Sequence, residues 1–138
     1  DLRGRAIAPD LRGRVWFTGA LPRPEALATV AGADVFVFAS RTETQGLVLA
    51  EALSAGLPAI AVDGPGVRDS VRDGIDGVVV NAEPAGGRSR RMAEALSALA
   101  ADDQRRAGMA ARAAADADRF SVDRRTGEME ALYRSLLA

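Results

Sequence analysis

The stretch DVFVFASRTETQGLVLAEALSAGLPAIAV, residues 34–62, decides the fold. Its opening, DVFVFAS (34–40), is a near-continuous apolar run, the pattern of a strand buried on both faces. GLVLAEALSAG (46–56) follows with strong helix formers and a glycine, Gly56, suited to a C-terminal cap. LPAIAV (57–62) is a second β-type run. Strand, helix and strand in this order predict a parallel α/β sheet flanked by helices.

The same alternation extends on both sides. RVWFTG (14–19) is a short β-type run closed by Gly19, and PEALATVAGA (24–33) is a helix with Pro24 placed to open it. Downstream, GVRDSVRDG (66–74) is a short helical region and GVVVN (77–81) one more strand. The expected sheet therefore has about four or five parallel strands. The last third is helical: SRRMAEALSALAADD (89–103), QRRAGMAARAAADADRF (104–120) and SVDRRTGEMEALYRSLLA (121–138), the last opened by Ser121 as N-cap. In that helix Val122, Met129, Leu132, Tyr133 and Leu136 fall near one face, an apolar stripe expected to pack against the sheet or a neighbouring domain. Arg105, Arg106, Arg112, Arg119, Arg124 and Arg125 are expected to form a solvated helix face interleaved with acids.

Composition removes several classes of chemistry. The chain has 138 residues, 48% hydrophobic and 27% charged, which suits one ordinary globular domain spanning 1–138. A formal net charge of -1 offers no electrostatic reason to bind nucleic acid. There is no Cys, and hence no disulfide framework, thiolate metal site or cysteine nucleophile. There is also no His, and every basic residue is Arg, which removes Ser-His-Asp catalysis, a Walker A lysine and Schiff-base chemistry. The absence of a long apolar run or secretory segment makes a cytoplasmic location the expectation. The chain begins at Asp1 without Met, and a fragment of a longer protein is the expectation.

What remains for chemistry is carboxylate, guanidinium and backbone. In TETQGLVLAE (42–51) the loop at the C-terminal edge of the predicted strand 34–40 carries Glu43, and the following helix carries Glu51. Open parallel sheets place ligands at that edge. Free amides of the first helical turn, at Gly46, Leu47 and Val48, suit an anion such as a diphosphate, and Gly46 lets the backbone approach closely. Glu51, about one and a half turns on, could accept paired hydrogen bonds from a ribose diol, and Glu43 could reach hydroxyls of a sugar beyond the phosphates. A plain structural reading stands beside this one. Ser40 and Glu43 fit a capping box, Thr42 and Thr44 are ordinary N-caps, and Glu51 could be an exposed helical acid.

The segment SRTETQGLVLAEALSAGLPAIAVDGPGVRDSVRDGIDGVVV (40–80) resembles the donor-site segment of retaining GT-B glycosyltransferases of family 4. LRGRVWFTGALPRPEALATVAGADVFVFAS (11–40) and DRFSVDRRTGEMEALYRSLL (118–137) are similar to the elements that precede and close it in that family, so the resemblance covers nearly the whole chain. It implies the C-terminal, Rossmann-like half of a GT-B fold with a helical C-terminal third, the N-terminal acceptor half being absent. It also assigns roles: Glu43 to the transferred sugar and catalysis, Glu51 to the ribose, Gly46, Leu47 and Val48 to the diphosphate through their amides, and Leu21 to the nucleobase through its backbone. Asp69, in GPGVRDSV (64–71), stands where the family often has a longer acid, and a turn or helix-start role is expected for it.

The activity implied is transfer of a hexose from a nucleotide-diphosphate sugar to a hydroxyl of a lipid or glycan, with retention and without a protein-held metal or other cofactor. UDP-glucose is favoured as donor over GDP-mannose. The full-length protein would be cytoplasmic, with a peripheral place at the inner face of the membrane as a further expectation. The isolated chain is expected to be inactive, because the acceptor half and the basic residues that hold donor phosphates in that family lie upstream. The alternatives are an inactive nucleotide-binding or structural relic of such an enzyme, or a sugar-nucleotide epimerase of the same architecture.

Overall fold

A computed structural model describes residues 11, 13–42 and 46–137. In order these form α1 (Arg23–Ala31), β1 (Phe36–Phe38), α2 (Leu47–Ser54), β2 (Ala59–Val62), α3 (Val67–Ser70), β3 (Gly77–Val80), α4 (Arg88–Ala101), α5 (Asp103–Ala115) and α6 (Val122–Leu137). Single 3-10 turns at Ala85–Gly87 and Ala117–Phe120 precede α4 and α6. The strands form a parallel sheet in the order β1-β2-β3, with Phe36 opposite Ala59 and Ala59 opposite Gly77.

The central strand explains the layering. All four residues of β2 are buried, and successive side chains point to opposite faces of the sheet. Ala59 and Ala61 pack with Leu49 and Leu53 of α2 and with Val67, Val71 and Ala113, while Phe36, Phe38 and Phe120 close that cluster. Ile60 faces the other way, into Val80, Leu99 and Met109. The α5 helix serves both layers, placing Met109 in one cluster and Ala113 in the other. The small residues on one side of β2 let α2 lie close to the sheet; Ile60 and Leu99 fill the deeper side, each fully buried and contributing about 2 kcal/mol of transfer free energy. At Gly77 a Cβ would run into the Ala59 carbonyl of the neighbouring strand, so only glycine permits this register.

The helix termini follow their signals. Pro24 sits in the first turn of α1. After α2, Gly56 adopts φ +76°, and the amides of Gly56 and Leu57 return to the carbonyls of Leu53 and Ala52, a Schellman closure. The Asp102 side chain caps α5 by accepting from Arg105 N, and Ser121 Oγ accepts from Arg124 N at the start of α6.

Three expectations are corrected. The described sheet has three strands, not four or five: residues 15–18 form no ladder with β1, and Trp16 stands 77% exposed. A strand is defined by a ladder of backbone hydrogen bonds to a neighbouring strand, and among the described residues no such ladder joins 15–18 to the sheet. The apolar stripe of α6 does not pack against the sheet, so of the two covers expected for it only a neighbouring domain is left. Every described residue of that helix is exposed, Leu136 at 73%, and the helix meets the rest of the chain chiefly at the 3-10 turn before it. Finally, two of the arginines are not part of a solvated face: Arg106, whose side chain is 23% exposed and donates to the Leu99 and Ala100 carbonyls, and Arg119.

Instead, Arg119 belongs to a buried ionic cluster around Asp76, whose side chain is 0% exposed. Asp76 Oδ1 accepts from Arg72 N at 2.8 Å, and Oδ2 accepts from Arg72 Nε at 2.7 Å and Arg119 Nη2 at 2.8 Å. Arg119 Nη2 also donates to the Ser70 carbonyl at 2.7 Å, and its guanidinium lies 4.4 Å from the centre of the Phe120 ring. Arg72 reaches on to Asp116 at 2.7 Å. Burial pulls the Arg119 guanidinium below the usual arginine range, and Asp76 acts against that.

Removing the carboxylate would leave the Arg119 guanidinium without its anion and Arg72 with Asp116 alone. Asp76→Ala should cost about 3 kcal/mol in urea denaturation, whereas Arg90→Ala, in an exposed pair with Glu94, should change stability by less than about 0.5 kcal/mol. Equal effects would show that the cluster does not hold the fold. The carboxyls of Asp116, bonded to Arg72, Asp63, bonded to Arg68, and Glu128, bonded to Arg124, lie below their ordinary range. A lowered folded pKa means that the unfolded chain binds the proton more readily. Their stabilisation is therefore complete above the ordinary carboxylate pKa of about 4 and lost as pH falls through the lowered native values. A melting temperature that declines on acidification below about pH 4 is expected, and one that rises there would contradict these pairings.

Candidate functional site

Because all three strands are parallel, their C-terminal ends share one edge of the sheet. Ser40 and Arg41 follow β1 there, residues 63–66 follow β2, and residues 81–83 follow β3. The N-terminus of α2 opens onto this edge. Gly46 is its N-cap in the left-handed region, φ 62° and ψ 28°, with no side-chain cap, and its carbonyl accepts from Leu49 N at 2.9 Å and Ala50 N at 3.0 Å. The earlier amides of the turn have no partner within the helix and carry the positive end of its dipole. Leu47 and Val48 are both exposed.

The helix starts at Leu47, so Gly46 and not Ser40, Thr42 or Thr44 holds the N-cap position. The capping-box account of this stretch therefore does not describe α2; Ser40 Oγ instead accepts from Thr42 N at 3.4 Å within the loop. Glu43 lies outside the described residues, as do Thr44 and Gln45.

Gly46 is constrained from behind. A Cβ on it would sit 3.0 Å from Ser70 Oγ and 3.1 Å from the Gly66 carbonyl oxygen. Gly66 is itself left-handed, φ 73°, and caps α3. Two glycine-led turns thus meet at the sheet edge, and the contact sets the direction in which α2 points.

Glu51 lies on α2 one turn beyond these amides, with its side chain 34% exposed, and Oε1 accepts from Arg23 Nη2 at 2.7 Å. Arg23 is three-quarters exposed, so the pair contributes about 0–1 kcal/mol and yields readily to a competing donor. Arg23 and Glu51 together border two hollows. One, of about 200 Å³, is lined by Ala26, Leu27, Val30, Phe36 and Val48; the other, of about 520 Å³, by Leu47, Ala50, Ser54, Phe120 and Val122. Leu21 is half-buried just before α1. The structure thus brings Gly46, Leu47, Val48 and Glu51 onto one helix, with Arg23 of the α1 side against Glu51.

Two cations also stand at this edge, each matched by a carboxylate. Arg41 faces Glu83 at 3.6 Å, and Arg68 grips Asp63 with both Nε and Nη2, the latter at 2.7 Å. That bond holds the Asp63 carboxyl below its ordinary range. Asp69 is exposed in the first turn of α3, as a helix-start residue should be. Another hollow, of about 390 Å³ beside Asp34, Pro58 and Arg106, lies at the opposite, N-terminal edge and has no part in this arrangement. Among the described residues no cluster of His, Cys, Asp or Glu is disposed to hold a metal ion, and no helix is long and apolar enough to cross a membrane.

Sequence reasoning missed Asp76 and Arg119. Both sit among many acids and arginines that are exposed, and their partners are 43 residues apart. The only sequence signal was Asp76 itself, a charged residue directly before the buried run GVVV. Glycine chemistry at the edge gives a direct test. Gly46→Ala and Gly74→Ala both force alanine into the left-handed region, at a cost of about 1–2 kcal/mol, but only at Gly46 does the new methyl meet neighbours. Gly46→Ala should therefore be the more destabilising of the two in chemical denaturation. Equal costs would mean that the Gly46 contact with Ser70 and Gly66 is not tight.

Comparison with known proteins bears on the family and the fold. A D-inositol 3-phosphate glycosyltransferase from Xylanimonas cellulosilytica is 37% identical over 133 residues, 96% of this chain but 31% of its own length. The sulfoquinovosyl transferase SQD2 of Arabidopsis thaliana is 43% identical over 61 residues, 44% of this chain and 12% of its own. In three dimensions, Anabaena HepE in complex with UDP superposes with a TM-score of 0.76 at 26% identity, over 97% of this chain and 36% of that one. A sucrose-phosphate synthase from Thermosynechococcus elongatus shares the fold, with a TM-score of 0.77 at 24% identity over 99% of this chain and 33% of its own. The chain thus spans about a third of the length of these full-span matches. The family model for glycosyl transferases group 1 matches residues 1–102, and this chain belongs to that family.

Proposed function

We propose that this chain is the donor-binding half of a retaining hexosyltransferase, its N-terminal acceptor half lying in the remainder of a longer protein. The observation that carries the reading is the N-terminus of α2, opened by Gly46 at the C-terminal edge of the sheet, with Glu51 one turn behind it on the same helix. The amides of Gly46, Leu47 and Val48 would bind the diphosphate of a nucleotide sugar. As the glycosidic bond breaks, negative charge grows on that diphosphate, and fixed N-H groups with the helix dipole behind them stabilise it without reorganisation. Glu51 would exchange its exposed bond to Arg23 for the ribose diol. Leu21 would meet the base through its backbone, and Glu43 would reach the transferred sugar.

The UDP held by the structurally similar HepE supports UDP as the nucleotide, with glucose favoured as the sugar and GDP-mannose second. The acceptor would be a hydroxyl on a lipid or glycan, and the protein would work in the cytoplasm, at the membrane's inner face if the acceptor is a lipid. No metal or other cofactor is assigned. The acceptor half and the cationic partners of the phosphates would come from the rest of the longer protein, and the 138-residue chain alone would not turn over.

The two acids should separate in measurement. Glu51→Ala should weaken UDP binding by about 1.5–3 kcal/mol in titration calorimetry, the scale of hydrogen bonds to a charged group. Glu43→Ala in the longer protein should leave UDP affinity nearly intact and lower kcat, since its contacts gain strength in the transition state. If both variants keep binding and turnover and lose only thermal stability, the acids are structural and the reading fails. Turnover by residues 1–138 alone would refute the division of labour.

A further inference from the structure

The buried Asp76 cluster lies directly behind the Gly46 turn. The α3 helix ends at Ser70, whose carbonyl, like any at a helix C-terminus, has no partner within the helix. Arg119, 49 residues away, supplies one: its Nη2 donates to Ser70 O at 2.7 Å and to Asp76 Oδ2 at 2.8 Å. The Arg119 side chain is 18% exposed and lies against the Phe120 ring. Ser70, buried, sets its hydroxyl against Gly46 from one side, while the Gly66 carbonyl closes from the other end of α3. The path from Asp76 to the α2 N-terminus therefore runs through one guanidinium and one four-residue helix.

We propose that Arg119, anchored by Asp76, is a positioning residue for the diphosphate cradle. It holds α3 so that Ser70 and Gly66 keep Gly46 left-handed and the first amides of α2 aimed at the sheet edge. The proposal rests on the reading of that helix end as the diphosphate site and adds a residue that touches no substrate. Geometry explains why arginine is needed. Both bonds leave the one nitrogen Nη2, whose two hydrogens are held in the plane of a guanidinium that lies against Phe120, whereas a lysine ammonium on a shorter, freely turning stem keeps the charge but not those fixed directions.

The test uses the longer protein that carries this chain, with UDP and uridine as probes and titration followed by calorimetry or NMR. Arg119→Lys should weaken UDP by roughly tenfold, the scale of one or two misaligned hydrogen bonds to a charged ligand, and should leave uridine, which lacks phosphates, unchanged. Leu99→Ala is the control. It empties part of the opposite core layer, away from α3, and should lower the melting temperature without altering either affinity. Phe120→Leu, which removes the ring under Arg119 and keeps an apolar side chain, should weaken UDP selectively to a smaller degree, and it decides the matter if Arg119→Lys does not fold. If UDP binds Arg119→Lys as it binds the unaltered protein, or if Leu99→Ala weakens UDP equally, the positioning role is wrong while the diphosphate site stands. If the unaltered protein binds neither UDP nor uridine, the site itself is wrong and nothing remains to be positioned.

Discussion

A carboxylate fully removed from water must be surrounded by donors, and Asp76 finds them in three places at once: the Arg72 backbone, the Arg72 side chain and Arg119. That requirement joins the entry to β3, the end of α3 and the turn that leads into α6. Replacing such a cluster by apolar groups can be neutral, but losing one member is not, because the remaining charges stay buried. The parallel sheet gives the layers, with Ala59 and Ala61 on one side of β2 and Ile60 on the other. The Asp76 cluster fixes how the connections above that sheet are arranged.

Those connections carry the proposed donor site. In a parallel sheet every strand delivers its following loop to the same edge, and a helix starting there presents unpaired amides to a ligand. Gly46 and Gly66 allow two such starts to meet without side chains between them. Among the described residues two cations stand at this edge, Arg41 facing Glu83 and Arg68 held by Asp63, beside the amides that open α2. The ion pair between Glu51 and Arg23 is exposed and cheap to open, which keeps a carboxylate available beside that anion site.

Much of this was legible in the sequence because it is local. The apolar run 34–40, the helix formers of 46–56 and the buried strand of 57–62 appear as β1, α2 and β2, and Pro24, Gly56 and Ser121 mark helix ends as expected. The placement of Gly46, Leu47, Val48 and Glu51 on one helix at the ligand edge follows from the same periodicity. Features that depend on distant partners were not legible. RVWFTG has strand-like composition, but composition does not say which ladder a run joins, and residues 15–18 are not part of the described three-stranded sheet. The stripe on α6 has helical spacing yet lies exposed, since spacing tells which side chains share a face and not what covers it. Arg119 looks like any surface arginine until Asp76, 43 residues earlier, is brought against it.

The central claim is that the N-terminus of α2 receives the diphosphate of a nucleotide donor. A titration of the nitrogen-15-labelled chain with UDP, followed through backbone amide shifts, tests it most directly. The account predicts the largest displacements at Gly46, Leu47 and Val48, smaller ones near Glu51 and Leu21, and loss of the first set when uridine replaces UDP. Shifts centred instead on Asp34, Pro58 and Arg106 at the opposite edge of the sheet, or none at α2, would contradict it.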